Sequence, residues 1–303
     1  MYKKLLSVMV YGLLFAACGG QAVSIPTVTP IPPTIIPSPI SLSATLLVEK
    51  NLETETGTSY SLDWSPDGEM LVVASGVEIT LLSGDLGKII SNLKPSSGAL
   101  TATWSPDQKS FATVVGFRNP KIMLWDRANN QLTLAQEISA GSDQYSASWS
   151  PDGKLLATLA NDRKSIIQIW DTGTWKLLHK FDLPYANPRR ALDWSADSKT
   201  IYDAGELEGS AVYFALNVED GSVQELGKLP VEQAYAFSIS PDSKRIAVAD
   251  EAGMVRIFEV GSDDLLIEFQ AVDNPADLAW HPNDSTLAIL GYKATLQLWS
   301  LTP

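Results

Sequence analysis

The chain has 303 residues, of which 45% are hydrophobic, and carries a formal net charge of −13. This hydrophobic fraction is that of a globular protein with a core, and the length allows one large domain or two small ones. The negative charge repels phosphate backbones and anionic headgroups, so it disfavours nucleic-acid binding and favours cationic partners.

Residues 1–17 have the pattern of a secretory signal peptide. Lys3 and Lys4 precede an apolar run that ends in small residues before Cys18, and this run is too short to span a bilayer. Residues 15–18, Phe-Ala-Ala-Cys, resemble the lipobox of bacterial lipoproteins, with Phe15 in place of the usual Leu. The resemblance implies cleavage before Cys18 and a diacylglycerol group on its sulfur. An uncleaved anchor, or plain secretion with an incidental cysteine, are the alternatives.

Residues 18–43 form the predicted lipidated Cys and linker. Six prolines lie between residues 26 and 39, interleaved with Thr, Ser and Ile. Such a density of proline blocks helices and sheet ladders, which favours an extended, semi-rigid spacer. The sequence therefore predicts an extracytoplasmic domain held away from a membrane by a lipid anchor, on the cell surface or the periplasmic face.

A single turn motif recurs six times from residue 61 onward. Its copies are Trp64-Ser65-Pro66-Asp67, Trp104-Ser105-Pro106-Asp107, Trp149-Ser150-Pro151-Asp152, Trp194-Ser195-Ala196-Asp197, Ile239-Ser240-Pro241-Asp242 and Trp280-His281-Pro282-Asn283. Steps between the aromatic positions are 40, 45, 45, 45 and 41 residues, a period typical of four-stranded propeller blades. Ser-Pro-Asp suits a type I turn, in which we expect each Asp to bond locally.

Apolar strands follow each turn, and a third strand ends in an aromatic residue, as in Ile122–Asp126 and Ile167–Asp171. These residues resemble the WD-repeat family, whose closing dipeptide matches Trp125-Asp126 and Trp170-Asp171, and they are also similar to TolB-type propellers. No Gly-His dipeptide occurs, so the family's buried His–Asp network is not expected. We predict an all-β, six-bladed propeller of four-stranded antiparallel blades over residues 44–303.

The first and last segments are predicted to close the ring. The sixth unit ends at Pro303 without an outer strand, while residues 44–50 form an orphan strand before the first repeat. An open sheet edge invites pairing with other chains. We therefore expect residues 44–50 to supply the outer strand of the last blade.

Few residues in the sequence suggest chemistry. Asp63 and Asp193 occupy inner-strand positions that can approach the central channel, which makes them weak candidates for a metal site. His179 and His281 are the only histidines, and neither has a partner by sequence. No nucleophile elbow, zinc-helix motif, phosphate loop or dinucleotide fingerprint occurs. We predict a protein that is not an enzyme and needs no cofactor.

The nine tryptophans could suggest carbohydrate binding, but eight of them recur at two blade positions, which indicates core packing. Trp175 alone falls outside both sets and is expected to be exposed. The predicted function is a protein-binding platform that uses loops between second and third strands and links between blades. The candidate residues there are Arg118, Asp162, Arg163, Tyr185, Arg189, Arg190, Glu206 and Glu208. A channel-centred hydrolase or lyase, and a small-ligand or cation sensor, are the alternatives.

Overall fold

The computed structural model describes residues 42–303 except 56, 96–97, 116–118, 129–130, 162–164, 185–191, 230, 232–233 and 263. Within these residues the chain forms 24 strands and no helix. The strands make six antiparallel sheets of four strands each. The predicted signal peptide and Cys18, with the linker up to residue 41, lie outside the described residues.

Each sheet is one blade. Blade 1 comprises β2 (Ser61–Trp64), β3 (Met70–Ala74), β4 (Ile79–Ser83) and β5 (Ile89–Leu93). Blade 2 comprises β6 (Thr101–Trp104), β7 (Ser110–Val115), β8 (Lys121–Ala128) and β9 (Gln131–Ser139). Blade 3 comprises β10 (Asp143–Trp149), β11 (Leu155–Asn161), β12 (Ser165–Asp171) and β13 (Lys176–Asp182).

The second half of the ring repeats this order. Blade 4 comprises β14 (Leu192–Trp194), β15 (Thr200–Leu207), β16 (Ser210–Asn217) and β17 (Val223–Lys228). Blade 5 comprises β18 (Ala236–Ile239), β19 (Arg245–Ala249), β20 (Met254–Glu259) and β21 (Leu265–Gln270). Blade 6 comprises β22 (Pro275–Trp280), β23 (Thr286–Gly291), β24 (Thr295–Thr302) and β1 (Ser43–Asn51).

The recurring turn joins the first two strands of each blade. In blade 1 the Gly68 N–H donates to the Ser65 carbonyl at 2.8 Å, and Gly68 adopts a positive φ of 74°. This is a type I turn followed by a left-handed residue, a common way to close a hairpin. The Ser65 hydroxyl donates to Asp67 Oδ1 at 2.6 Å and accepts from the Met70 N–H at 3.0 Å. The expected local role of the turn aspartates is therefore confirmed.

The core lies between neighbouring blades, where the recurring aromatic residues pack. Trp64, Trp104, Trp194 and Trp280 of the inner strands are buried, as are Trp125 and Trp170 of the third strands. Three of the inner-strand rings also donate Nε1–H to a backbone carbonyl of the preceding blade: Trp64 to Ala279, Trp194 to Ser148 and Trp280 to Ser238. Six of the eight repeated tryptophans are therefore buried in the core, as the repetition predicted, while Trp149 and Trp299 are only partly buried.

The ring closes between the two ends of the propeller. Strand β1 pairs antiparallel with β24, from Ser43 opposite Thr302 to Asn51 opposite Thr295, with a bulge between Leu46 and Val48. The predicted closure is confirmed, with one more residue at each end of the strand than the sequence indicated. The edge of β24 that the chain would otherwise leave open is covered.

The structure corrects the expectation for Trp175. This residue is partly buried, and its ring lies edge-on against that of Trp149, with 5.7 Å between the ring centroids. The sequence could not show this contact because it joins a turn between β12 and β13 to the inner strand of the same blade. Among the described residues, no helix has the length and apolarity needed to cross a membrane.

Candidate functional site: the central channel and the loop face

Three acidic side chains lie along the central channel, which is lined by the inner strand of each blade. They are Asp63 of blade 1, Asp193 of blade 4 and Asp277 of blade 6, and all three border one cavity of about 130 Å³. Hydroxyl groups of six further residues also line that cavity: Ser61, Thr101, Thr103, Ser146, Ser148 and Ser238. The two acids predicted to approach the channel do lie there, together with a third.

Each of these acids holds the inner strand of the next blade. Asp63 Oδ2 accepts from the Trp104 N–H at 2.8 Å, and Asp193 Oδ2 accepts from the Ile239 N–H at 2.8 Å. Asp277 Oδ2 accepts from the Leu62 N–H at 2.9 Å, while its Oδ1 accepts from its neighbour Leu278 N–H at 2.9 Å. The carboxyl groups therefore link blades 1 to 2, 4 to 5 and 6 to 1.

The enclosed position of the three carboxyl groups favours their protonated form. Burial raises the pKa of Asp63 to about 7, and the nearby charge of Asp193 adds to this increase. Burial also raises the pKa of Asp193, and it raises that of Asp277 well above its ordinary value. Desolvation outweighs the backbone hydrogen bonds, which favour the charged form. Near neutral pH the channel therefore holds protons on some of its carboxyl groups.

Asp277 was not predicted from the sequence. It lies three residues before Trp280, in the same position as Ser61, Thr101 and Ser146 of other blades. Asp63 and Asp193, in contrast, lie immediately before the aromatic residue of their blades. In the other blades the position of Asp277 holds Ser, Thr or Ala, so an acidic residue there was the signal that could have revealed Asp277.

A metal site at Asp63 and Asp193 remains a prediction. Each of these carboxylates already accepts a backbone hydrogen bond from the neighbouring blade. Over the described part of the chain, no group of three or more His, Cys, Asp or Glu residues is arranged to hold a metal ion. Calcium needs six to eight oxygen ligands, so the acids alone would leave most of its coordination to other groups.

The two histidines lie far apart in the fold. His179 is exposed on outer strand β13, where its ring stacks on Phe181 with 5.6 Å between centroids. His281 lies in the turn of blade 6, edge-on to Trp64 at 4.5 Å, with Nε2 3.2 Å from the Gly68 carbonyl oxygen. His281 thus does have a partner, in blade 1, and it fills the seam where the ring closes.

The predicted loop face lies at the opposite ends of the strands from the Ser-Pro-Asp turns. Glu206 is partly buried near the end of β15, and Glu208 is exposed in the β15–β16 turn. Glu208 and Gly209 both have positive φ, 51° and 76°, as a two-residue hairpin turn requires. The other candidates lie outside the described residues: Arg118, Asp162, Arg163, Tyr185, Arg189 and Arg190. The structure therefore places two of the eight candidates, on one hairpin.

The fold and its inner-strand geometry define a six-bladed β-propeller. A crystal structure of the β-propeller domain of Myceliophteria thermophila Cps50 (Swd1) superposes with a TM-score of 0.58 and 16% sequence identity. The similarity covers 80% of this chain and 82% of the other. The family model described as eukaryotic translation initiation factor eIF2A matches residues 87–207, which run from blade 1 into blade 4. A comparison with curated proteins finds no match. These similarities support the propeller architecture.

Proposed function

We propose that this protein is a lipid-anchored, extracytoplasmic β-propeller that binds other proteins and catalyses no reaction. The observation that carries the proposal is the closed ring around a narrow channel. The channel cavity measures about 130 Å³, whereas pockets that enclose small molecules usually measure about 300–1,000 Å³. A rigid closed disc with so little internal space offers its outer surfaces for recognition.

The proposed location rests on the sequence of the first 43 residues. The basic start, the short apolar run and Cys18 supply a signal and an attachment point, and the proline-rich stretch supplies a spacer. A tethered domain reaches partners at a membrane surface without entering the bilayer. The negative charge of the chain supports protein or cationic partners over nucleic acid.

The buried acids favour a second candidate function, in which the channel takes up protons or a small cation. Asp63, Asp193 and Asp277 border the same cavity and hold their protons up to unusually high pH. Calorimetric titration with Ca²⁺ and Mg²⁺, comparing wild type with Asp63→Asn, tests this candidate. Heat of binding that the substitution removes would support the cation sensor over a purely structural role.

The anchor is tested by fractionating cells that express the full chain or its Cys18→Ser variant. We expect the wild type in the membrane fraction and the exported, cleaved variant in the soluble fraction. A Cys18→Ser protein that stays bound to the membrane after signal cleavage would contradict lipid anchoring at this residue.

The binding face is tested with a photo-crosslinking amino acid at single positions in the native cell. Glu208 reports on the loop face, and exposed Asp242 in the blade 5 turn is the matched control on the opposite face. We expect discrete protein adducts from position 208 and none from position 242. Equal labelling at both positions, or none at either, would count against a partner on the loop face.

A further inference from the structure

Trp149 departs from the other aromatic residues at its position in the repeat. The equivalent side chains Trp64, Trp104, Trp194, Ile239 and Trp280 are all buried. Trp149, in contrast, is partly exposed. Its Nε1–H, like that of buried Trp104, is enclosed without a hydrogen-bond partner among the described residues, whereas the other three equivalent indoles donate to the preceding blade. Blade 3 is therefore joined to blade 2 less completely than the repeat allows.

At two other seams the residue that opens the second strand of the preceding blade covers this position with a long side chain. In blade 5 that residue is Arg245, whose guanidinium lies over the Trp280 ring of blade 6, 4.8 Å from its centroid. In blade 1 it is Met70, which shares a buried cluster with Trp104. At the seam between blades 6 and 1 that residue is the short Thr286, but His281 lies edge-on to Trp64 with 4.5 Å between the ring centroids. In blade 2 it is Ser110, whose short side chain donates to Ser105 Oγ at 3.1 Å instead. Ser110 is too short to cover the indole of blade 3.

A groove of about 690 Å³ lies between blades 2 and 3 as a result. Trp149 and Trp175 line it with ring planes at 88° to each other. Asp107, Asp126 and Asp152 also line it, and no Lys, Arg or His is among the described residues of its wall. Asp152 Oδ2 is paired with Lys154 Nζ at 3.1 Å, so Asp107 and Asp126 are the carboxylates that accompany the two aromatic faces. Aromatic faces beside carboxylates are the chemistry that attracts a cation.

The seam between blades 5 and 6 shows which cation suits this position. There the Arg245 guanidinium stacks on the indole and also bonds to Asp284 Oδ2, with Nη2 at 2.5 Å. Gly153 of blade 3 occupies the turn position that Asp284 holds in blade 6. A Cβ added to Gly153 would meet only Pro106 Cγ, at 4.0 Å. The groove therefore leaves open the space that Arg245 and its partner fill elsewhere in the ring.

We propose that the groove between blades 2 and 3 binds an arginine side chain of a partner protein. The planar guanidinium stacks on an indole and pairs with a carboxylate at once, which the compact ammonium of lysine does less well. The net charge of −13 favours the approach of a cationic segment. This inference rests on the proposed function in that the ligand belongs to a protein. The groove, however, lies at the strand ends that carry the Ser-Pro-Asp turns, opposite the loop face.

The proposal is tested by ¹⁹F NMR of the full chain labelled with 5-fluorotryptophan and titrated with the neutral-ended tripeptide acetyl-Gly-Arg-Gly-amide. We expect saturable shifts of the Trp149 and Trp175 resonances and a constant Trp280 resonance. Acetyl-Gly-Lys-Gly-amide should bind at least threefold more weakly, and cellobiose should cause no shift. No saturable shift with the arginine peptide, or a response to cellobiose alone, would overturn the proposal.

Two variants make this test specific. Ser110→Arg supplies the covering side chain from within the protein, as Arg245 does in blade 5, and should weaken peptide binding at least tenfold. Trp175→Ala removes one aromatic wall at a turn outside both repeated tryptophan positions, and should weaken binding to a similar degree. Unchanged melting temperatures establish that both variants fold. Wild-type affinity in Ser110→Arg would overturn the proposal, while crosslinking at Glu208 tests the loop-face function separately.

Discussion

The carboxylate of Asp277 in blade 6 accepts a hydrogen bond from the Leu62 N–H in blade 1 at 2.9 Å, joining inner strands 215 residues apart. This bond lies at the seam where the two ends of the propeller meet. Asp63 and Asp193 make the same kind of bond at two other seams. Among the described residues, three of the six inter-blade seams are therefore fastened at the channel by an aspartate.

Replacement of Asp277 by Ala should lower the stability of the ring. It leaves the buried Leu62 N–H without its acceptor, which costs about 1–3 kcal/mol. Thermal unfolding should show a loss of about 2–4 °C per kcal/mol for a domain of this size. Asp277→Asn is the matched control, because its amide oxygen can still accept from the Leu62 N–H and only the bond from the neighbouring Leu278 N–H is given up. An alanine variant as stable as the asparagine variant would contradict the fastening role.

Stability should fall as the pH rises from about 4 to about 7. The three channel acids have raised pKa values, so the folded state binds more protons than the unfolded state over this range. Because stability decreases with pH wherever the folded state binds more protons, each acid contributes a slope of up to about 1.4 kcal/mol per pH unit. Denaturant unfolding between pH 4.5 and pH 8 measures the slope, and Asp63→Asn should reduce it. A flat profile in both proteins would contradict the raised pKa of Asp63.

The turn aspartates affect stability in the opposite sense to the channel acids: their contribution is lost as the pH falls. Hydrogen bonds from the Ser195 hydroxyl and the Lys199 N–H hold the pKa of Asp197 below its ordinary value. A carboxyl group with a lowered pKa adds stability above its unfolded pKa and loses it as the pH falls through the folded value. We therefore expect the overall stability maximum in mildly acidic solution, at about pH 4 to 5.

Much of the architecture could be predicted because it depends on short sequence patterns that recur from blade to blade. The Ser-Pro-Asp turns, the strand alternation and the unpaired strand before the first repeat all depend on residues close in sequence. The fastening by Asp277 and the groove at Trp149 depend on which side chain the neighbouring blade supplies. Ser110 is ordinary in its own strand, and its short side chain becomes informative only by comparison with Arg245, which lies over Trp280, and Met70, which shares a buried cluster with Trp104.

Deletion of residues 41–50 should destabilise the whole propeller, because it removes most of β1 and exposes the edge of β24. We expect the melting temperature to fall by at least about 5 °C, which corresponds to roughly 2 kcal/mol for a domain of this size, and the truncated protein to associate. A deletion of equal length over residues 31–40 shortens only the predicted linker and is the matched control. A truncation of 41–50 that melts like this control would contradict closure by β1.

Replacement of Arg245 by Ala should recreate at blades 5 and 6 the arrangement found at blades 2 and 3. It removes the guanidinium from the Trp280 ring and from Asp284, and should cost about 1–2 kcal/mol, since the pair is partly buried. In 5-fluorotryptophan-labelled protein, the Trp280 resonance should then respond to acetyl-Gly-Arg-Gly-amide, which leaves it unchanged in the wild type. Arg245→Met keeps the ring covered without a charge and should give no such response. If the peptide fails to reach Trp280 in the alanine variant, a guanidinium supplied from outside cannot replace the internal one at this position.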